Sequence, residues 1–275
     1  MPAGPGLHRR RIKGSRGRFV FLSGRAFSRG GLDAVTAIIA LNFAVLLVQQ
    51  LSPGWLDSDA FQIWLTQTFG LSLDGLSQGR FWQFVTHLFV HGGSQSPLTR
   101  LMHFAMNMAL IYAAGKALIP EIGNLAVAAL YLVSGIAGGL LQILLIPDSL
   151  LVGASGAAFG LVLAYTTLCP AEDLYAWVLF FPVSLRSHTL GRALLWTNLF
   201  FTATAQLAQM FQWTLPLAGG IAHAAHTGGS LAGWLIARCI LLPRRFPKFT
   251  RESLKAARVH NDQRLAQNRG SSADS

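Results

Sequence analysis

The chain is 275 residues long, 52% hydrophobic and only 12% charged, with a mean hydropathy of +0.44 and a formal net charge of +11. That composition excludes an ordinary water-soluble domain and points to a polytopic membrane protein. A pI near 10.8 invites a nucleic-acid reading, but the charge is segregated: of 22 Lys and Arg, eight lie in residues 1–32, eight in 243–275 and six in the apolar middle. Such basic ends suit tails held at an anionic membrane face, with no nucleic-acid partner.

Residues 1–32 are rich in Arg, Gly and Ser and hold no acid. They are expected to form a disordered cytoplasmic tail, although the composition also fits a mitochondrial transit peptide. The first apolar run, about Leu32–Leu51, lacks the cleavage pattern of a secretory signal. Residues 52–100 then form a long connection in which Trp55, Trp64 and Trp82 alternate with polar residues, a mixture suited to the membrane interface. Further spans are expected at about 101–119, 122–146, 154–169, 191–212 and 222–242, each close to bilayer length. The apolar stretch 174–185 contains Pro182 and is too short to cross, so it reads as an interfacial connector. Residues 243–275 are a second basic tail.

Six spans put both tails on one side, and the distribution of basic residues makes that side cytoplasmic. Lys116, Arg186, Arg192 and Arg238 fall on the inner side and only Arg80 and Arg100 on the outer. The expected location is a bacterial plasma membrane with both termini inside. Spans two, four and six then run inward, and their first turns carry His103 with Asn107, Ser155, and His226. Polar groups on three helices thus meet at one depth, below the outer surface.

Ser155 sits in Gly153-Ala-Ser-Gly-Ala-Ala-Phe-Gly160, between small residues at the mouth of its span. Gly156 and Gly160 make a G-x-x-x-G pair, and Gly229 and Gly233 repeat the spacing one turn after His226. Two such faces permit close backbone approach in lipid and would bring His226 to Ser155. A serine hydroxyl needs such a base to become nucleophilic. His223, one turn before His226, is a rival for that role. His103 and Asn107 share a helix face and can donate toward one point, either to an oxyanion or to neighbouring carbonyls that fix packing. His87 and His91 have the i, i+4 spacing of a zinc pair, but no Glu follows His87 and no third ligand is evident, so no metal is assigned and a structural role is preferred. Cys169 and Cys239 form no disulfide or metal pattern.

Four elements now stand in a fixed order: Phe81-Trp-Gln-Phe-Val-Thr-His-Leu-Phe-Val-His91, His103-x-x-x-Asn107, Gly153-x-Ser155-Gly156, and Ala225-His226-x-x-Gly229-x-x-x-Gly233. In these the chain resembles the rhomboid family of intramembrane serine proteases over about residues 33–242. The resemblance implies an all-α, six-helix rhomboid-like bundle with a long interfacial first outer loop. It implies Ser155 as nucleophile, His226 as general base, and an oxyanion hole of His103, Asn107 and the Ser155 backbone N–H. Phe159 matches a position where the family often places an aromatic ring against the histidine. No cofactor is implied. The expected partners are the lipid bilayer and membrane-protein substrates whose transmembrane segments are weakened as helices. One departure is Trp82-Gln83 where the family commonly has Trp-Arg, which puts anchoring of the first loop in question. The alternative function is a catalytically silent relative that binds membrane clients.

Overall fold

The computed structural model describes residues 32–51, 58–91, 97–178, 181–211 and 222–245, so Trp55 and nearly all of both expected tails lie outside the described residues. The architecture is a helical assembly. Helix α1 spans Ala34–Leu51, and α2 (Ser58–Phe69), α3 (Leu73–Ser77) and α4 (Gln83–Thr86) are short. The long helices α5 (Pro97–Ile122) and α6 (Asn124–Leu145) are followed by α7 (Ser155–Leu168), α8 (Ser187–Met210), α9 (His223–Ile236) and α10 (Leu242–Arg245). A π-helical turn, Ala237–Leu241, joins α9 to α10.

Among the described residues two helical stretches, Leu98–Ile122 and Asn124–Leu145, match a membrane crossing by length and hydropathy. Ala34–Gln50 and Ser155–Leu168 are apolar but shorter. Local chemistry accounts for the helix starts. Asp33 caps α1, accepting from the Thr36 N–H at 2.9 Å, and its other oxygen is paired with Lys116 of α5. Proline opens α5, where its missing N–H costs nothing.

Two regions differ from the sequence expectation. Among the described residues the connection 52–100 contains α2, α3 and α4 ahead of α5, and hydrogen bonds tie it down from several points. Trp82 Nε1 donates to the Thr68 carbonyl at 2.9 Å, and the Thr86 hydroxyl to the Phe69 carbonyl at 2.7 Å. The stretch 174–185 is an antiparallel hairpin of β1 (Asp173–Val178) and β2 (Phe181–Arg186), in register Leu174↔Leu185 and Trp177↔Pro182. The all-α expectation is corrected there: two runs rich in Tyr, Trp, Val and Phe have strand chemistry, too short for a span and too β-prone for a helix.

Helices α6, α7 and α9 form the tightest part of the molecule, with α5 against α7 and α8 against α9 on the flanks. Helix α7 is buried almost all round: Leu161 and Ala164 are fully buried, and only Phe159 and Thr167 of its 14 residues are partly exposed. An apolar helix wrapped on every side by others is the centre of the packing. Ser155 is its first residue.

Candidate active site

The chain cannot be helical just before Ser155. Gly153 has φ +115°, a backbone conformation that L side chains rarely adopt. Two flanking contacts hold it. Leu71 and Leu151 exchange backbone hydrogen bonds of 2.9 and 2.8 Å, and the Gly153 N–H donates to the His87 carbonyl at 2.8 Å. Helix α7 therefore begins at Ser155, whose backbone N–H has no intrahelical acceptor and lies at the positive end of the helix dipole. The Ser155 side chain is buried, 6% exposed.

His103 and Asn107 stand one turn apart on α5 and both face this turn. A Cβ built on Gly153 would lie 3.1 Å from His103 Cε1, 3.5 Å from His103 Nε2 and 3.9 Å from Asn107 Nδ2. Asn107 is 3% exposed, and its Nδ2 is buried with no hydrogen-bond partner. An amide donor left unpaired out of water costs about 1–3 kcal/mol, so this one is poised for an acceptor that arrives from elsewhere.

On the other side, α7 and α9 touch backbone to backbone. A Cβ on Gly229 would stand 2.0 Å from the Gly156 carbonyl oxygen, and one on Gly233 would stand 2.0 Å from that of Gly160. The glycine pairs singled out in the sequence are therefore in contact. His226 projects from α9 onto Phe159, one turn along α7 from Ser155, with ring centroids 4.4 Å apart and planes 18° from parallel. His223 lies against α8: its ring stacks on Phe201 at 4.7 Å, its Nδ1 lies 3.4 Å from Asn198 Oδ1, and it stands edge-on to the His226 ring at 6.0 Å. Among the described residues no hydrogen bond joins Ser155 to His226. Catalytic hydrogen bonds commonly tighten only with substrate in place.

A match to the family model described as Rhomboid domain extends over residues 78–243. The chain belongs to the rhomboid family. It is thus a membrane protein, and it is similar to several plant relatives from Arabidopsis thaliana. RHOMBOID-like protein 6, mitochondrial, is 27% identical over 161 residues, 58% of this chain and 44% of the relative. RHOMBOID-like protein 4 is 25% identical over 179 residues, 65% of this chain and 39% of the relative. RHOMBOID-like protein 2 is 34% identical over 80 residues, 29% of this chain and 23% of the relative. The matches span less than half the length of these relatives.

Two groups in this rhomboid escaped the sequence reading. Helix α6 completes the glycine junction: a Cβ on Gly138 would meet the Ala225 carbonyl at 2.6 Å, and one on Gly228 the Ala137 carbonyl at 2.7 Å. Gln142 Oε1 accepts from the Ala225 N–H at 3.3 Å, next to His226. The signals were available in Gly135, Gly138 and Gly139 at helical spacing, and in a lone amide within an apolar span.

The departure at Gln83 also has a structural answer. Gln83 is fully buried; its Nε2 donates to the carbonyls of Gln67 (2.9 Å) and Thr68 (3.3 Å), and its Oε1 accepts from the Ser72 N–H at 3.2 Å. An uncharged amide thus ties the end of α2 to the start of α3. His87 is neutral, because burial pushes its imidazole down to about 4, and its Nδ1 donates to the Gln83 carbonyl at 2.8 Å. That bond commits one ring nitrogen to the loop, and among the described residues no three His, Cys, Asp or Glu cluster as a metal site.

Proposed function

We propose that this rhomboid is an intramembrane serine endopeptidase that cleaves transmembrane segments of membrane proteins near the outer membrane face. The observation that carries the reading is the placement of His226: glycine contacts lay α9 on α7, and Phe159 holds the imidazole flat one turn from the buried Ser155. A base with a fixed ring plane next to a hydroxyl is what nucleophilic activation requires.

In this mechanism Ser155 Oγ attacks the scissile carbonyl carbon while His226 takes the hydroxyl proton. The carbonyl electrons move onto oxygen, and the resulting oxyanion is met by the Ser155 N–H, Asn107 Nδ2 and the His103 ring. Collapse breaks the C–N bond as His226 returns the proton to the leaving amine. Water then attacks the acyl-enzyme with His226 again as base, releasing the acid and restoring Ser155. Packing orients His226, so no third acidic residue and no cofactor is required. The substrate must expose a peptide bond, so segments with glycine or another helix-weakening residue near the cut are preferred.

Helices α1 and α5 to α9 serve as six spans, α7 and α9 being the short ones, with both termini on the cytoplasmic side of a bacterial plasma membrane, an orientation that the basic tails favour. The test is cleavage of a single-span substrate in liposomes. Ser155→Ala and His226→Ala abolish turnover, whereas His223→Ala retains it. Turnover by Ser155→Ala within about tenfold of the parent overturns the reading, because loss of a nucleophile costs far more. A parent protein that binds the segment without cutting it supports the silent client-binding alternative.

A further inference from the structure

His91 is fully buried, and the dyad chemistry makes no use of it. The Gln49 carboxamide clamps its backbone: the His91 N–H donates to Gln49 Oε1 at 3.1 Å, and Gln49 Nε2 donates to the His91 carbonyl at 3.0 Å. This pair of hydrogen bonds from α1 fixes where the ring leaves the chain. The ring stands edge-on to two neighbours on α5, His103 at 5.9 Å and Phe104 at 5.2 Å. A phenyl or an isobutyl group would fill the same place without taking ring nitrogens out of water. His91 Nδ1 lies 3.3 Å from the Phe89 carbonyl, which only accepts, so Nδ1 carries the proton and Nε2 is an acceptor. That Nε2 is buried and has no partner.

His103 poses the complementary problem. Its Cε1–Nε2 edge faces Gly153, so Nε2 is the nitrogen that must bear a proton if the ring is to donate to an oxyanion there. A neutral imidazole carries one ring proton, and its position is set by the partner of the other nitrogen. On the premise that Ser155 is the nucleophile, we propose that His91 is the positioning residue for His103: one water donates its two protons to His91 Nε2 and His103 Nδ1, and so locks His103 as the Nε2–H tautomer aimed at the oxyanion. Such a water satisfies the buried His91 Nε2 and bonds the free nitrogen of the half-buried His103 ring, and Gln49 keeps the first from moving.

The decisive variant is His91→Phe, which keeps the edge-on packing against Phe104 and removes the acceptor. We expect kcat to fall about tenfold or more while KM stays within about twofold and the melting temperature is held. The fall cannot exceed the roughly 10²–10³ typical of losing one oxyanion donor. In a His103→Ala background His91→Phe costs nothing further, since the two act as a unit. Nitrogen-15 spectra of the His103 ring show the Nε2–H tautomer in the parent and a mixture in His91→Phe. Gln49→Leu, which frees the His91 backbone, lowers kcat in the same direction. Parental turnover in a folded His91→Phe, or a full additional loss in the His103→Ala background, overturns the proposal while leaving the dependence on Ser155 intact. An unchanged His103 tautomer in His91→Phe also overturns it.

Discussion

Asn107 and Gln83 are both buried amides, and they meet opposite fates. Gln83 satisfies three backbone groups, whereas Asn107 leaves a donor unpaired beside Gly153. Removing them therefore has different signatures. Asn107→Ala lowers cleavage about 10²–10³-fold with little loss of melting temperature, because the missing donor acts on the oxyanion and not on the fold. Gln83→Leu destabilises by about 1–3 kcal/mol for each backbone group left unpaired and lowers activity only as the loop slackens, which a melting curve run beside the cleavage assay separates. The sequence left open whether His103 and Asn107 serve an oxyanion or helix packing, and whether Gln83 anchors the first loop. Spacing gives the shared face; only the third dimension shows that the face meets the turn at Gly153.

Glycine carbonyl contacts set the distance between α7 and α9. Adding a methyl at Gly229 places it about on top of the Gly156 carbonyl, so the helices must part. Displacements near 1 Å cost about a hundredfold in rate, and Gly229→Ala is expected to lose at least that much. The neighbouring Ser230 is fully buried with an unpartnered hydroxyl, so Ser230→Ala keeps activity and holds or raises the melting temperature. Equal damage from both substitutions, read in one assay, contradicts the pairing. This pairing was legible because a four-residue repeat of glycine in two apolar spans carries a geometric meaning. The contribution of α6 was passed over: its spaced glycines and Gln142 lie on a helix that carries neither the serine nucleophile nor a histidine, and two matching faces do not by themselves call for a third partner. The hairpin at 173–186 was missed for a different reason, since a short apolar run with a proline reads equally as an interfacial segment or as two strands.

At the scale of the whole molecule, the sequence carried the helix order and most boundaries to within four residues, because apolar length is the strongest signal a membrane chain has. It did not carry the internal structure of the first connection, whose short helices are fixed by side-chain bonds to distant carbonyls such as those of Gln67 and Phe69. The proposed orientation makes its own prediction. In a background without Cys169 and Cys239, a membrane-impermeant maleimide labels Asp148→Cys in intact cells and labels Thr189→Cys only after permeabilisation; the reverse pattern overturns the orientation. The central claim is that Ser155 is an activated nucleophile, and active-site labelling tests it most directly. A serine-directed fluorophosphonate is added to the folded protein in detergent, and the modified residue is located by peptide mass mapping. The account predicts a single adduct on Ser155, lost in Ser155→Ala and strongly reduced in His226→Ala but not in His223→Ala. A folded protein that takes up no label at Ser155, or labels equally with and without His226, contradicts it.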